Sequence, residues 1–111
     1  MNQWIKIKPL SVNECWQGRR FKTKKYIQYE REMLFLIKKQ KLPPPPFHVY
    51  IILYISNPLS DIDNPVKPLL DILQKKLNFN DKLIELLTVE KHLRKKGEEK
   101  IWFGISSMQA I

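Results

Sequence analysis

The sequence is poor in the residues on which several kinds of site depend, since it has one cysteine, three glycines and two histidines. Cys15 has no second cysteine to pair with, so an intrachain disulfide is excluded and a reducing cytosol suits the chain best. So few glycines leave no glycine-rich phosphate loop, and neither a zinc-ligand spacing nor a Ser-His-Asp set is present. We interpret Cys15, His48 and His92 as packing residues rather than as reactive groups.

Long apolar runs are also missing from the chain. The longest run, Phe47 to Ile55, is far too short to cross a bilayer as a helix. The first residues alternate apolar and charged side chains, which is not the pattern of a signal-peptide core. We therefore expect a cytoplasmic protein with no membrane contact and no small-molecule cofactor, folded as one domain over residues 1–111.

Acidic residues are outnumbered, with 11 Asp and Glu against 20 Lys and Arg and a formal net charge of +9. Such a charge can serve solubility alone, but its clustering favours a nucleic-acid partner. The predicted DNA contacts are Arg19, Arg20, Lys22, Lys24, Lys25 and Lys91. Trp16, Tyr26 and Tyr29 lie among the first of these and could stack on unpaired bases, although Tyr29 is as well explained as an edge-of-core residue.

The order of predicted elements is strand, helix, strand, helix, strand. Alternation over Trp4–Lys8 predicts a half-exposed strand, and Thr23 should cap a helix over Lys24–Gln40 with Ile27, Met33, Leu34 and Ile37 buried. The prolines Pro43–Pro46 end that helix and form a stiff connector, whose alternative role as a protein-docking motif we regard as the weakest explanation.

The nearly continuous apolar run His48–Ile55 predicts a central strand covered on both faces. Asn64 should cap a second helix that starts at Pro65, and Thr88–Leu93 and Lys100–Ser106 should pair as a hairpin. These elements predict an α/β fold in which helices flank a small mixed sheet.

Two acids one residue apart, Asp61 and Asp63, follow the central strand in this otherwise basic chain. If the segment is extended, both carboxylates project from one face, and their mutual repulsion favours a divalent cation between them. Mg²⁺ is the natural ion for such oxygen ligands, with Asp81 as a third ligand and Lys67 beside the bound phosphate. The alternative is that the acids merely cap the following helix and stabilise its dipole. Asp71 is interpreted as a solvated partner of Lys67 or Lys75.

The segment from Asp61-Ile62-Asp63-Asn64 through Lys67 to Asn80-Asp81 resembles the core of the RusA family of Holliday junction resolvases. Pro9–Asn13 and Gly18-Arg19 are similar to two further stretches of that family. The resemblance implies a homodimeric, cytoplasmic endonuclease of bacterial or phage origin that nicks four-way junction DNA. It implies Mg²⁺, or Mn²⁺ as a substitute, bound by Asp61, Asp63 and Asp81, and it makes these three acids and Lys67 the four catalytic residues.

Three positions depart from the family pattern. Ser60 stands where arginine is expected, Asn80 where a first Asp is expected, and Leu83 where a Gln is expected. Two alternatives to a junction resolvase remain open at this point, a less selective flap or fork nuclease and a protein that binds branched DNA without cutting it. Metal dependence distinguishes a nuclease from a protein that only binds branched DNA, because phosphate binding by Lys and Arg requires no Mg²⁺.

Overall fold

A computed structural model describes residues 1–109, in which six strands and two helices form one small mixed α/β domain. The last two residues of the expected domain lie outside the described part. The strands are β1 (Asn2–Ile5), β2 (Trp16–Gln17), β3 (Phe21–Lys22), β4 (Phe47–Ile55), β5 (Ile84–Leu93) and β6 (Lys100–Ser107). The helices are α1 (Lys24–Leu36) and α2 (Val66–Leu77), with single 3₁₀ turns at Val12–Glu14 and Asp81–Leu83. The predicted fold class is confirmed.

The main sheet has the strand order β1-β6-β4-β5, and β2 and β3 form a separate ribbon. β5 runs parallel to β4, to which α2 connects it, whereas β6 runs antiparallel on the other side of β4. The predicted hairpin between the last two strands is therefore wrong. The backbone N–H of Arg94 donates to the Ile55 carbonyl at 2.7 Å, so the chain leaving β5 passes over the end of β4 to reach its opposite edge.

β4 is central, as expected, but only one of its faces is covered by helices. Its residues alternate strictly between buried and half-buried, and the buried set joins the single core shared with α1 and α2. The expectation of two covered faces is wrong, because the other face carries large rings that shield one another. Trp4 and Tyr54 lie 5.7 Å apart between ring centroids, and Tyr50 and Trp102 lie 5.5 Å apart.

α1 starts where the sequence predicts, with the Thr23 side chain accepting a hydrogen bond from the Tyr26 N–H. Its buried stripe consists of Tyr26, Tyr29 and Met33, whereas Ile27 is 45% exposed. The prediction that Ile27 is buried is wrong, because the helix turns its larger tyrosine rings toward the core. Leu34 is only partly buried.

α1 ends at Leu36, four residues before the predicted end at Gln40. Ile37 adopts an extended conformation that keeps its side chain in the core. The next residue, Lys38, has both of its backbone groups hydrogen-bonded by the Gln3 side chain. Gln3 accepts from the Lys38 N–H at 2.8 Å and donates to the Lys38 carbonyl at 2.7 Å. β1, which carries Gln3, also ends earlier than predicted, because the chain bends after Ile5.

α2 begins at Val66, and Pro65 rather than Asn64 occupies the cap position without a side-chain hydrogen bond. The prediction that Asn64 caps α2 is therefore wrong, because the cap lies one residue later. Pro68 lies in the first turn, where its missing N–H costs no helical hydrogen bond. The other end stops at Asn78, which takes the left-handed conformation typical of a helix C-terminus. Within residues 1–109, neither helix is long and apolar enough to cross a membrane.

Candidate metal and nucleic-acid site

The acidic segment lies in the loop of residues 56–65, which joins the end of β4 to the start of α2. Hydrogen bonds from three directions hold this loop in place. The Ser56 hydroxyl donates to Glu99 at 2.7 Å, Lys91 donates to the Ser60 carbonyl at 2.8 Å, and the Val12 N–H donates to the Asn64 carbonyl at 2.9 Å. The backbone that carries Asp61 and Asp63 is therefore fixed by β5, the 3₁₀ turn at Val12–Glu14 and the loop before β6.

Asp61 and Asp63 are both exposed, but the segment between them is not a regular extended strand. The chain bends at Ile62 and Asp63 and turns at Asn64 and Pro65. The Val66 N–H donates to the Asp63 carbonyl at 3.0 Å, which closes this turn onto the helix. The prediction that both carboxylates project from one face assumed an extended strand, and the bend at Ile62 and Asp63 removes that condition.

A cleft of about 290 Å³ runs between α2 and β5, beside this turn. Its surface is almost entirely apolar, and the residues that border it are Asp63 and Lys67 together with Ile62, Val66, Leu70, Leu87 and Val89. The structure thus brings together two of the four predicted catalytic residues. Asp63 and Lys67 are the two charged residues that border this cleft.

Lys67 donates to Asp71 one helical turn further on, with Nζ and Oδ1 2.8 Å apart. The spacing predicts Asp71 as a partner of Lys67 or Lys75, and the structure confirms the pair with Lys67. The hydrogen bond that Lys67 donates to Asp71 raises the pKa of Lys67; partial burial opposes this effect, and the charges of Asp71 and Asp81 add to it. The ammonium of Lys67 therefore lies in the field of Asp81 as well as beside Asp71.

Asp81 is placed by a residue that sequence reasoning missed, Gln74 of α2. The Gln74 side chain accepts from the Asp81 N–H at 2.9 Å and donates to the Leu70 carbonyl at 3.2 Å. Asn80 caps the following 3₁₀ turn by accepting from the Lys82 N–H at 2.9 Å. The departure from the family pattern at Asn80 thus has a structural role here. No sequence signal indicated Gln74, because its partner lies seven residues away across a turn.

The carboxylates of Asp61, Asp63 and Asp81 form no ion pair with a lysine or arginine in the described residues. Carboxylate oxygens that are exposed and unpaired have the donor chemistry that Mg²⁺ prefers, and Mg²⁺ commonly binds through one or two carboxylates and several waters. Within residues 1–109, however, no three His, Cys, Asp or Glu side chains are gathered in one cluster. Within this part of the chain the structure therefore does not gather Asp61, Asp63 and Asp81 into one cluster, and their fit to a metal rests on donor type and exposure alone.

The predicted DNA-binding residues fall into two sets. Arg19, Arg20 and Lys24 are exposed and make no ion pair within the described residues. The other three are engaged by the protein. Lys22 pairs with Glu30 at 3.0 Å, Lys25 pairs with Glu14 at 3.1 Å, and Lys91 bonds the Ser60 carbonyl. The free cations lie on the turn between β2 and β3 and at the start of α1.

The aromatic side chains near these cations differ from the expectation. Tyr26 and Tyr29 are buried, so the suggestion that they stack on bases is wrong, and the core explanation of Tyr29 is confirmed. Trp16 stays 41% exposed and packs edge-on against Tyr26. Phe21, which the sequence did not single out, is 72% exposed. Its place directly after two arginines was the available signal.

No family model matches this sequence, and no curated protein shows significant similarity to it.

Proposed function

We propose that this protein is a Mg²⁺-dependent endodeoxyribonuclease that resolves four-way DNA junctions by paired symmetric nicks in recombination and repair. Support comes from the resemblance of the segment Asp61–Asp81 to the RusA family. The observation that carries the proposal is that Asp63 and Lys67 border one cleft beside α2, with the charge of Asp81 contributing to the raised pKa of the same lysine.

The proposed roles follow from the chemistry of a phosphodiester, which carries a negative charge that repels the attacking nucleophile. A magnesium ion held by Asp61, Asp63 and Asp81 would polarise the phosphate and supply an activated water. Lys67 holds a positive charge where negative charge develops on the phosphate oxygens. Asp71 is a positioning residue, because it fixes the Lys67 ammonium without facing the phosphate. Arg19, Arg20 and Lys24 supply phosphate contacts that depend on salt but not on sequence.

The homodimer in this proposal follows from symmetry. One chain carries one candidate site, and a four-way junction has approximate two-fold symmetry, so a C₂ dimer presents two equivalent sites. The helix-free face of the sheet, where Lys100 and Arg94 lie over an aromatic cluster, is the proposed surface for the second copy. The cluster consists of Trp4, Tyr50, Tyr54 and Trp102.

The test is cleavage of a labelled four-way junction, beside linear duplex and a Y-fork, with Mg²⁺ and with EDTA. We expect paired nicks on the junction alone, lost in EDTA and in Asp63→Asn, which should still bind the junction. Glu98→Gln is the matched control, because it removes one exposed negative charge from the loop before β6 and should cut at the parental rate.

Other outcomes identify the rival functions. Metal-dependent cutting of forks and junctions alike would indicate a less selective branched-DNA nuclease. Tight junction binding without cutting in Mg²⁺ or Mn²⁺ would indicate a non-catalytic binding protein. An Asp63→Asn variant that cuts at the parental rate would overturn the assignment of the metal site.

A further inference from the structure

The ribbon of β2 and β3 presents two distinct faces. The register pairs Trp16 with Lys22 and Gln17 with Phe21. Directly opposed residues of an antiparallel pair project to the same side, and successive residues project to opposite sides. Trp16 and Lys22 therefore share one face of the ribbon, while Gln17 and Phe21 share the other. Gly18, with a φ of 68°, provides the left-handed conformation at the turn between the strands.

The face with Trp16 and Lys22 is packed onto α1. The Trp16 and Tyr26 rings meet edge to face with centroids 5.6 Å apart, and the Lys22 ammonium lies 5.2 Å from the same tyrosine centroid. The Thr23 N–H donates to the Cys15 carbonyl at 2.9 Å and closes the base of the ribbon. These contacts fix the orientation of the ribbon, so its second face is directed to solvent.

The solvent face carries Phe21, an aromatic ring that is 72% exposed, with the exposed Arg20 immediately before it and Arg19 one residue further back. Phe21 belongs to neither the buried core nor the partly buried residues packed against it. A large exposed ring next to two free guanidinium groups combines the two elements of a single-strand binding surface, which are a stacking platform and a cation for the backbone.

The ribbon is also anchored beside the candidate metal site. The chain immediately before it contains the 3₁₀ turn Val12–Glu14, whose Val12 N–H donates to the Asn64 carbonyl of the acidic loop at 2.9 Å. Cys15 follows, and the charge of Asp71 adds to burial in raising its pKa. The base of the ribbon is thus tied to the loop that carries Asp61 and Asp63.

We propose that Phe21 stacks on an unpaired or unstacked nucleobase, while Arg19 and Arg20 hold the adjoining phosphates. The proposal rests on the proposed function, since it assumes a DNA substrate. It adds the kind of feature that the protein detects, because bases at a branch point lose a stacking neighbour that bases within a duplex keep. The ribbon then directs branched DNA, rather than continuous duplex, onto the site beside α2.

The experiment measures equilibrium binding of catalytically silent DNA, in EDTA, to the wild type, Phe21→Ala, Phe21→Leu and Phe21→Trp. The ligands are a four-way junction with 2-aminopurine at the branch point, a single-stranded oligonucleotide and a linear duplex. We expect Phe21→Ala to lose roughly tenfold affinity for the junction and the single strand, with duplex affinity nearly unchanged. Phe21→Trp should retain the wild-type affinity, and Phe21→Leu should behave like Phe21→Ala because it lacks a π-face.

Phe35→Ala is the matched control, since Phe35 is 86% exposed near the other end of α1 and its loss should change none of these affinities. Circular dichroism and thermal unfolding of each variant establish that it is folded, which an exposed position should allow. The 2-aminopurine fluorescence reports directly whether the ring contacts the base.

The outcomes separate this inference from the proposed function. Junction cutting by the wild type, with equal affinities in Phe21→Ala, would overturn the role of Phe21 and leave the nuclease intact. If the protein binds single strands in a way that depends on Phe21 but never cuts DNA, the role of Phe21 would be supported and the proposed nuclease activity would be overturned. A change of oligomeric state in Phe21→Ala without loss of DNA affinity would overturn the proposal by assigning the ring to a protein contact.

Discussion

Lys67 is the single residue whose surroundings bear most directly on the proposed activity. Its ammonium is held at 2.8 Å by Asp71 and lies in the field of Asp81, and both effects raise its pKa. Any lysine is protonated at neutral pH, and the raised pKa keeps Lys67 protonated to still higher pH. The helix therefore supplies a fixed cation rather than a titrating group.

Removal of this cation should slow cleavage without abolishing DNA binding. We expect Lys67→Met to lower the single-turnover cleavage rate by roughly 100-fold or more, the usual loss when a group that stabilises developing charge is removed. Asp71→Asn should slow cleavage by a smaller factor, because the ammonium remains but is no longer anchored. Single-turnover cleavage of the junction, with binding measured separately in EDTA, checks both variants.

Cys15 gives a second prediction at this scale, because it is fully buried within the core. Burial, with smaller contributions from the charges of Glu14 and Asp71, raises its pKa to about 11. The thiol should therefore remain protonated and inaccessible at pH 8, where a free cysteine reacts readily. Ellman's reagent should detect no fast-reacting thiol in the native protein and one thiol in urea. Rapid labelling of the native protein would contradict this placement.

Single-residue features differed in how far the sequence could predict them. The cap at Thr23 and the pair of Lys67 with Asp71 are local, and their spacing alone indicated them correctly. Phe21 and Gln74 depend on how a ribbon and a turn are placed against distant parts of the chain. No short-range pattern records such placement, so the sequence did not reveal their roles.

Among the elements, α1, α2 and the ribbon are joined through one carboxylate, that of Glu30. It pairs with Lys22 of β3 at 3.0 Å and with Lys75 of α2 at 3.3 Å, and its side chain is only 17% exposed. Burial alone would raise the pKa of Glu30, but the hydrogen bonds and charges of Lys22 and Lys75 lower it below the ordinary 4.5. The ion pair therefore stabilises the fold when Glu30 is ionised.

We expect Glu30→Gln to lower the free energy of unfolding by about 1 kcal/mol at pH 7, as for a well-formed ion pair near the surface. A carboxyl with a lowered pKa contributes stability above its ordinary pKa and loses it as the pH falls through the lowered one. The difference in unfolding free energy between wild type and variant should thus be largest at pH 6–7 and shrink below pH 4.5. Urea unfolding across this range measures it.

Glu32→Gln on the same helix is the control for this prediction. Glu32 is exposed, and within residues 1–109 it accepts only from the Gln28 side chain, at 3.3 Å. Its replacement should change stability little at any pH. Equal losses in the two variants would mean that the ion pairs of Glu30 contribute nothing specific.

Element by element, the sequence predicted β4 and both helices because each has a strong apolar pattern. The pairing of β5 and β6 was not predictable in the same way. A short loop rich in Lys and Glu around Gly97 is typical of a hairpin, yet β4 offers both of its edges to these strands and separates them. β5 and β6 could pair with each other or with β4, the most apolar strand. Which pairing forms depends on the whole sheet and not on the loop between them.

At the scale of the whole molecule, one sheet face is left without helices. Lys100 and Arg94 lie over its rings, with the Lys100 ammonium 4.5 Å from the Trp4 centroid and the Arg94 guanidinium 4.9 Å from the Tyr54 centroid. The apolar run of β4 alone could not reveal this asymmetry, since the aromatic residues of the open face are as apolar as a core.

The proposed homodimer predicts a sedimentation mass of twice 13.3 kDa at micromolar concentration. Trp4, which is 56% exposed on this face, gives the test residue. We expect Trp4→Ser to raise the dimer dissociation constant roughly tenfold, because a large aromatic at an interface often contributes 1 kcal/mol or more. The variant should lose paired nicks before it loses DNA binding.

Phe35→Ser is the control for surface apolarity, because Phe35 is exposed on α1 rather than on the sheet. A wild type that sediments as a monomer at all concentrations up to 100-fold above those of the cleavage assay would contradict the dimer. A dimer that is unaffected by Trp4→Ser would place the interface elsewhere on the molecule.

The position of β6 between β1 and β4 has a consequence for how the protein is made. β1 is synthesised first and β6 last of the six strands, yet β1 pairs only with β6 in the sheet. During translation, β1 and one edge of β4 must therefore remain unpaired until Lys100–Ser107 has left the ribosome. Nascent chains that stop before Lys100 expose two open strand edges, and such edges are the usual starting points of aggregation.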